Sequence, residues 1–451
     1  MIYALLDSWA GALDFQKVLI IPRRFLDKTG EAVLSTTSQF QQRNMSYSKR
    51  WDLLPASRDP REPEFKKEIS NLTKQRKDSF ISLTVGDPVI FGLVNEAVAP
   101  AINRAVEKKL FMYPEISGVQ EEYRSAVSYF EKNSQGMDYD PANIVITAGV
   151  AGSMNVLHYV LLDPGDEVLT LSPLHYVGTS SYVRTLGANV IQVPALESNG
   201  WLPAPEDLRK AITLKTKLLM VNSPTNPQGA VYPDNILREI ADIGAEFGLP
   251  IVSDEIYSLL TYDNVVAHSI GKFVKDNLLF TVSGVSKIFC APGMRMGYIC
   301  IKNDVEKLGK MAEMVKRVGS MYGHAQSGIP TPMMAAAAEL YRSDLGSFRA
   351  ILEKLKVRRA LALKRLGEMS SLSLVRPMGA LYFFPRITSK KWIDEYTFLL
   401  DLARSERVVF TPGATFGMGA EGHFRGVFMA EPSIISEAMD RLDRFLRKNA
   451  S

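Results

Sequence analysis

Lys287 stands in the run Val282 to Tyr298, VSGVSKIFCAPGMRMGY, with small residues before it and Arg295 eight positions after it. Burial among apolar neighbours disfavours an ammonium ion, which lowers the pKa and leaves a usable nucleophilic amine. Ser283, Gly284 and Ser286 are small enough for backbone to approach a ligand closely. Arg295 follows Pro292 and Gly293, and its planar fork suits a phosphate. A Schiff-base lysine beside a phosphate-binding arginine points to pyridoxal 5′-phosphate (PLP). Taken alone, Ser-Lys-x7-Arg-x-Gly weighs evenly against a surface lysine on a strand–loop segment, so the surrounding elements have to decide.

Those elements alternate. Ile81–Val85 reads as a strand ending in Gly86-Asp87-Pro88, and Ile144–Thr147 as a strand followed by the small-residue run Ala148–Ser153 and a helix from near Met154. A small-residue loop entering a helix presents unpaired N–H groups and a favourable dipole to an anion. Leu218–Val221 ends in Asn222-Ser223-Pro224-Thr225-Asn226-Pro227-Gln228-Gly229. Ile251–Ser253 ends in Asp254-Glu255-Ile256-Tyr257, and Leu278–Val282 delivers Lys287. Strands that alternate with helices and carry polar residues at their ends predict an α/β fold with a mostly parallel sheet and ligand chemistry at its carboxyl edge. Further on, Lys302–Lys316, Thr331–Tyr341, Phe348–Met369 and Ile434–Leu446 read as helices. Leu372–Val375, Ala380–Phe384, Val408–Phe410 and Arg425–Ala430 read as strands of a smaller α+β unit. Residues 62–76 predict an amphipathic helix with Phe65, Ile69 and Leu72 on one face.

Composition narrows the function classes. The chain has 451 residues, 46% hydrophobic and 23% charged, which is ordinary for a globular protein with a large core. The formal charge of +4 is scattered rather than gathered in a basic stripe, so no nucleic-acid partner is expected. Two cysteines, Cys290 and Cys300, cannot make a disulfide framework and favour a reducing compartment. No apolar run approaches the roughly 20 residues of a membrane span. No metal site is expected. The first 44 residues are too rich in acidic groups for a clear transit peptide, so a cytoplasmic location is preferred to a mitochondrial one.

Read together, N-x-P-x-N-P-x-G at 222–229, D-E-x-Y at 254–257, S-K-x7-R-x-G at 286–297 and R-x4-A at 425–430 resemble the class I/II PLP-dependent aminotransferases of fold type I. The resemblance covers about residues 45–447. Trp51-Asp52, the Gly86–Gly92 run and Ala291–Tyr298 are most similar to tyrosine aminotransferase, while Asn199–Leu208 and Gly229–Tyr232 are similar to the related alanine aminotransferases. It implies an N-terminal extension at 1–44, a small domain from 45–92 and 326–451, and a large PLP-binding domain at 93–325 with a seven-stranded sheet.

The resemblance also implies roles. Lys287 would carry the cofactor and move a proton as general acid and base. Asp254 would pair with the ring nitrogen, with Glu255 as the rival carboxylate and a helix N-cap as the bland alternative for Asp254. Tyr257 and Asn226 would bond the ring oxygen, and Asn226-Pro227 is expected to be cis. Arg295, Ser286 and the backbone of Gly149, Val150 and Ala151 would hold the phosphate, joined by Tyr113 from a neighbouring subunit, which implies at least a homodimer. Arg425, Asn226 and Gly86 would bind the substrate carboxylate. Two positions depart from the pattern. The residue two places after Pro173 is His175, so His175 and Tyr176 both compete to stack on the ring, with Tyr176 preferred. Arg124 comes one place later after Gly118 than in most relatives, which changes the loop near Tyr113.

The expected activity is transfer of an amino group from a neutral or aromatic, tyrosine-like L-amino acid to a 2-oxo acid such as 2-oxoglutarate. Alanine is the rival donor. Elimination, as in carbon–sulfur lyases and aminocyclopropane carboxylate synthases, uses the same residues, and a non-catalytic binding module that keeps the fold is the remaining alternative. No sequence motif identifies a second arginine for an acidic side chain; Arg317 and Arg376 are candidates only by elimination.

Overall fold

The computed structural model describes residues 59–75, 79–174, 182–302, 309–321, 329–392 and 394–449. In chain order its first strands are β1 (Ile81–Ser82), β2 (Ile144–Thr147), β3 (Glu167–Ser172), β4 (Asn189–Pro194), β5 (Thr216–Asn222), β6 (Ile251–Asp254), β7 (Leu279–Gly284) and β8 (Gly297–Lys302). Strands β2 to β8 build one seven-stranded sheet in the order β2-β8-β7-β6-β5-β3-β4. Its neighbours are parallel except where β8 runs against β2 and β7. This is the α/β, mostly parallel architecture that the alternation predicts.

A sheet covered on both faces needs apolar side chains at odd and even positions alike. Leu169, Leu171, Leu219, Val221 and Ile251 bury on one face, beneath Leu237, Ile240 and Ile243 of the helix Asp234–Glu246. Val168, Leu218, Met220, Val252 and Phe280 bury on the other, with Met154 and Leu157 of the helix Gly149–Leu161 and Val315 of the helix Gly309–Met321. Each such side chain stabilises the sheet by about 1.5–3 kcal/mol when fully buried, so one charge on either face would break it.

Strand direction positions the chemistry. β5, β6 and β7 are parallel, so Asn222, Asp254 and Gly284 finish at one edge. β8 runs the other way, so its first residue, Gly297, lies at that edge, paired with Gly284 and with Thr147 of β2. Arg295 therefore arrives beside the strand end that leads to Lys287. The crossing leaves no room for side chains: a Cβ on Gly284 would lie 2.5 Å from the Met296 carbonyl oxygen, and one on Gly297 would lie 2.6 Å from Gly149 Cα.

The remaining strands are short. β1 runs parallel to Val408–Val409, while Tyr382–Phe383 and Thr411–Pro412 flank Phe424–Val427 in antiparallel register. Leu372–Ser373 pairs with Arg386–Ile387. Helices Gly346–Gly367 and Pro432–Lys448 pack together, as do Glu62–Gln75 and Glu395–Glu406.

Several boundaries differ from the sequence reading. The helix expected near Met154 begins at Gly149. Its Gly-Val-Ala-Gly-Ser start has loop-like propensity, but packing against β8 overrides it; Ser153 Oγ bonds Thr147 Oγ1 at 2.8 Å and donates to the Tyr298 carbonyl at 3.2 Å. The strands expected over 81–85 and 425–430 stop at Ser82 and Val427, where the ladder partners end. Lys302 closes β8 instead of opening a helix, its ammonium held by the carbonyls of Gly271 and Val274.

Candidate active site

β7 passes through Gly284 into a short helix, Val285–Ile288, which holds Lys287 half-buried. The Lys287 Nζ donates to the Gly86 carbonyl at 2.5 Å. That bond joins two segments 201 residues apart. Gly86 is a glycine for steric reasons, since a Cβ there would lie 2.5 Å from the Tyr382 hydroxyl.

Asp254 ends β6, buried, with Oδ1 accepting from the Ile256 N–H at 3.1 Å. Burial pushes its carboxyl up to about 7, opposed by the Ile256 N–H and by the positive charge of Lys287. The rival, Glu255, is turned elsewhere. Its Oε1 accepts from Ser253 Oγ at 2.9 Å and Ser269 Oγ at 2.8 Å. Burial raises it to about 7 as well, and those hydroxyls oppose the rise. Lys287 acts on Asp254, so Asp254 is the carboxylate on the lysine side.

Beyond β5 the chain makes a tight turn with cis peptides at Ser223-Pro224 and Asn226-Pro227. Asn222 braces it, donating from Nδ2 to the Asp254 carbonyl at 2.9 Å and accepting the Asn226 N–H at 3.2 Å. Asn226 is thereby aimed inward. Its Nδ2 donates to the Tyr257 hydroxyl at 3.2 Å, and its Oδ1 accepts from Arg425 Nη1 at 3.1 Å. The Tyr257 hydroxyl lies 2.8 Å from that of Tyr382. Burial holds Tyr257 well above the usual tyrosine range, so it remains a neutral donor.

Arg425, on Phe424–Val427, is buried with its guanidinium 4.7 Å over the Tyr382 ring and 4.9 Å over Phe416. Its Nη2 donates to the Thr84 carbonyl at 2.5 Å, while the buried Nε has no partner. Burial lowers its pKa. No carboxylate among the described residues pairs with it. A buried cation with an orphaned donor is costly unless an anion completes it, and a bidentate carboxylate fits that fork.

At the other end, the helix Gly149–Leu161 opens with the unpaired N–H groups of its first turn, where Gly149, Val150 and Ala151 stand. Gly149 has φ +72°, and a Cβ there would lie 2.8 Å from Arg295 Nη2. Arg295 is exposed and donates to the carbonyls of Pro292 at 2.8 Å and Ala148 at 3.0 Å. Cation and helix end thus converge on one anion cradle, with Ser286 half-buried on the Lys287 turn. A phosphate and a lysine-reactive carbonyl match this donor set.

Not every expected residue joins this centre. Tyr113 is 77% exposed, in a run with exposed Phe111, Met112 and Ile116. His175 and Tyr176 lie outside the described residues, as does the 1–44 extension. Arg317 pairs with Glu313 and Arg376 with Asp263, both as exposed ion pairs. Tyr382 and Asn222 were missed. Asn222 was legible as the first polar residue after a buried strand; Tyr382 sits in the apolar run Ala380–Phe384, where nothing local marks its hydroxyl.

A mostly parallel sheet that brings a lysine, a buried carboxylate and an anion-binding helix end to one edge is the architecture of fold type I pyridoxal-phosphate enzymes. The family described as "Aminotransferase class I and II" matches residues 78–442. An aromatic-amino-acid aminotransferase of Thermococcus litoralis is 32% identical over 380 residues, covering 82% of this chain and 92% of that protein. An aspartate aminotransferase of Pyrococcus horikoshii is 29% identical over 374 residues, with the same coverages of 82% and 92%. The solved alanine aminotransferase of Pyrococcus furiosus has a TM-score of 0.82 at 32% identity, covering 89% of this chain and all of that one. This chain belongs to the class I and II aminotransferases, a family of PLP-dependent transaminases.

Proposed function

We propose that this enzyme moves the amino group of a neutral or aromatic, tyrosine-like L-amino acid to a 2-oxo acid such as 2-oxoglutarate. The observation that carries this reading is the setting of Arg425: one buried guanidinium between the rings of Tyr382 and Phe416, with no carboxylate partner among the described residues. The fork would take the α-carboxylate of donor and acceptor, with Gly86 and Asn226 beside it, and aromatic walls favour an apolar side chain. An acidic donor needs a second cation, and Arg317 and Arg376 are already paired at the surface. The similarity to an aromatic-amino-acid aminotransferase supports the reading, while the alanine aminotransferase structure supports alanine as the rival donor. The family match favours transfer over elimination.

PLP, when bound, supplies an electron sink that acidifies the substrate Cα–H. Lys287 would attach it covalently and afterwards carry the proton between carbon atoms. Asp254 would hold the proton on the ring nitrogen by its charge. Tyr257 and Asn226 would donate to the ring oxygen. Arg295, Ser286 and the amides of Gly149, Val150 and Ala151 would hold the phosphate, and Tyr176 would stack on the ring.

The exposed Tyr113 and its apolar neighbours support a homodimer in which Tyr113 reaches the phosphate of the second copy. The seven-stranded sheet, contributed wholly by residues 144–302, supports a large domain at 93–325, with a small one from 45–92 and 326–451. Free thiols at Cys290 and Cys300 support a reducing, cytoplasmic location. The deciding experiment is a matrix of kcat/KM values for tyrosine, phenylalanine, alanine, methionine and aspartate with 2-oxoglutarate and pyruvate. Tyrosine and phenylalanine should lead, and a strong preference for aspartate would refute the neutral-donor reading.

A further inference from the structure

We propose that Tyr382 is a positioning residue that sets the direction of the Tyr257 hydroxyl proton, and thereby how strongly Tyr257 donates to the ring oxygen of bound PLP. The inference rests on the cofactor reading above and extends it to a residue outside that set.

The geometry leaves few arrangements. Tyr257 Oη lies 3.2 Å from Asn226 Nδ2 and 2.8 Å from Tyr382 Oη. An amide nitrogen can only donate, so Tyr257 accepts there. A phenol has one proton. Once Tyr257 gives that proton to a third acceptor, its short contact with Tyr382 persists only if Tyr382 donates. Tyr257 then accepts twice and donates once, and each accepted bond polarises its O–H.

Tyr382 is held for this task. It is 1% exposed, its ring is edge-on to Tyr257 at 84°, and the Arg425 guanidinium covers its face. Its strand pairs Tyr382 with Val427, two residues past Arg425. The backbone of Gly86 closes on the hydroxyl from the remaining side, which no residue with a Cβ permits. The charged and titratable groups that face Tyr257 are Tyr382, Asp254 and Arg425.

Tyr382→Phe keeps the ring, its burial and its stacking on Arg425, and removes only the donor. The readout is the pH at which the bound cofactor changes its visible absorbance, in resting enzyme without substrate. Weaker donation leaves more negative charge on the ring oxygen, which holds the proton on the neighbouring nitrogen more tightly, so the midpoint should rise. A rise of about half a pH unit, or roughly threefold in the proton equilibrium, is expected for one neutral hydrogen bond acting through one oxygen. Tyr257→Phe should raise it further, and the Y257F/Y382F double variant should match Y257F alone. A site-specifically incorporated fluorotyrosine at 382, a stronger donor of nearly the same size, should lower the midpoint and replaces Y382F if that variant does not fold. An unchanged midpoint in both substitutions at 382, or additive shifts in the double variant, would overturn the proposal. A wild-type chain that shows no cofactor titration at all would instead refute the cofactor reading, and this proposal with it.

Discussion

Asp254→Asn should stabilise the cofactor-free protein while removing its activity, and the gain should depend on pH. Folding raises the Asp254 carboxyl from 3.8 to about 7, chiefly by burial. The folded chain therefore binds this proton more tightly than the unfolded chain, so its contribution to stability is fully present below about pH 4 and lost as pH rises through 7. From these two values the cost of the buried charge grows from about 1.7 kcal/mol at pH 5 to about 4 kcal/mol at pH 8, at 1.36 kcal/mol per unit. Asparagine escapes that cost and keeps an oxygen for the Ile256 N–H. Glu255 titrates in both proteins and largely cancels; losing Asp254 also removes one cause of its own raised value. Equilibrium urea unfolding of cofactor-stripped wild type and D254N at pH 5 and pH 8 reads the difference, which should widen by about 2.5 kcal/mol towards pH 8. Bound PLP should reverse the order, because a protonated ring nitrogen would give the carboxylate its counter-charge. Turnover should fall about 10³-fold, which is roughly 4 kcal/mol of lost transition-state stabilisation. A stability difference that does not move between pH 5 and pH 8 would refute the reasoning, since Asp254 would then not be a charge paid into a dry site.

Other substitutions follow from the same geometry. Lys287→Ala should abolish the borohydride-fixable attachment of PLP, read by peptide mass spectrometry, and lower transamination by at least about 10³-fold; a label on another lysine would contradict it. Arg425→Lys should lower kcat/KM for all donors and acceptors together by roughly 10²-fold, because a point charge cannot reproduce the fork. Loss confined to one substrate would mean that Arg425 reads the side chain. Gly149→Ala combines φ +72° with a Cβ 2.8 Å from Arg295. The variant should fold but bind PLP about tenfold more weakly in a fluorescence titration, a cost of the 1–2 kcal/mol typical of a left-handed alanine.

The candidate site of this chain was legible wherever it is local. Lys287, Asp254, Asn226 and Arg295 each follow a buried apolar run or stand beside a glycine-rich turn, because a parallel sheet exposes reactive groups at strand ends and the chain must turn there. Periodicity and turn residues write that arrangement into a few consecutive positions, so the α/β class and most site candidates could be read without coordinates. What only the tertiary structure decided involves partners far apart in sequence. The Lys287 amine meets the carbonyl of Gly86, and Arg425 meets Thr84 across 341 residues. Asp254 and Glu255 are adjacent carboxylates that sequence leaves equivalent, and only the Ser253 and Ser269 hydroxyls on one side and Lys287 on the other tell them apart. Tyr382 is an unremarked residue in an apolar run until strand pairing sets it beside Arg425 and Gly86. Hydrophobic pattern and turn chemistry specify which face and which end of a strand a residue occupies. Which distant strand end it meets depends on register and packing, and those exist only once the whole core has formed.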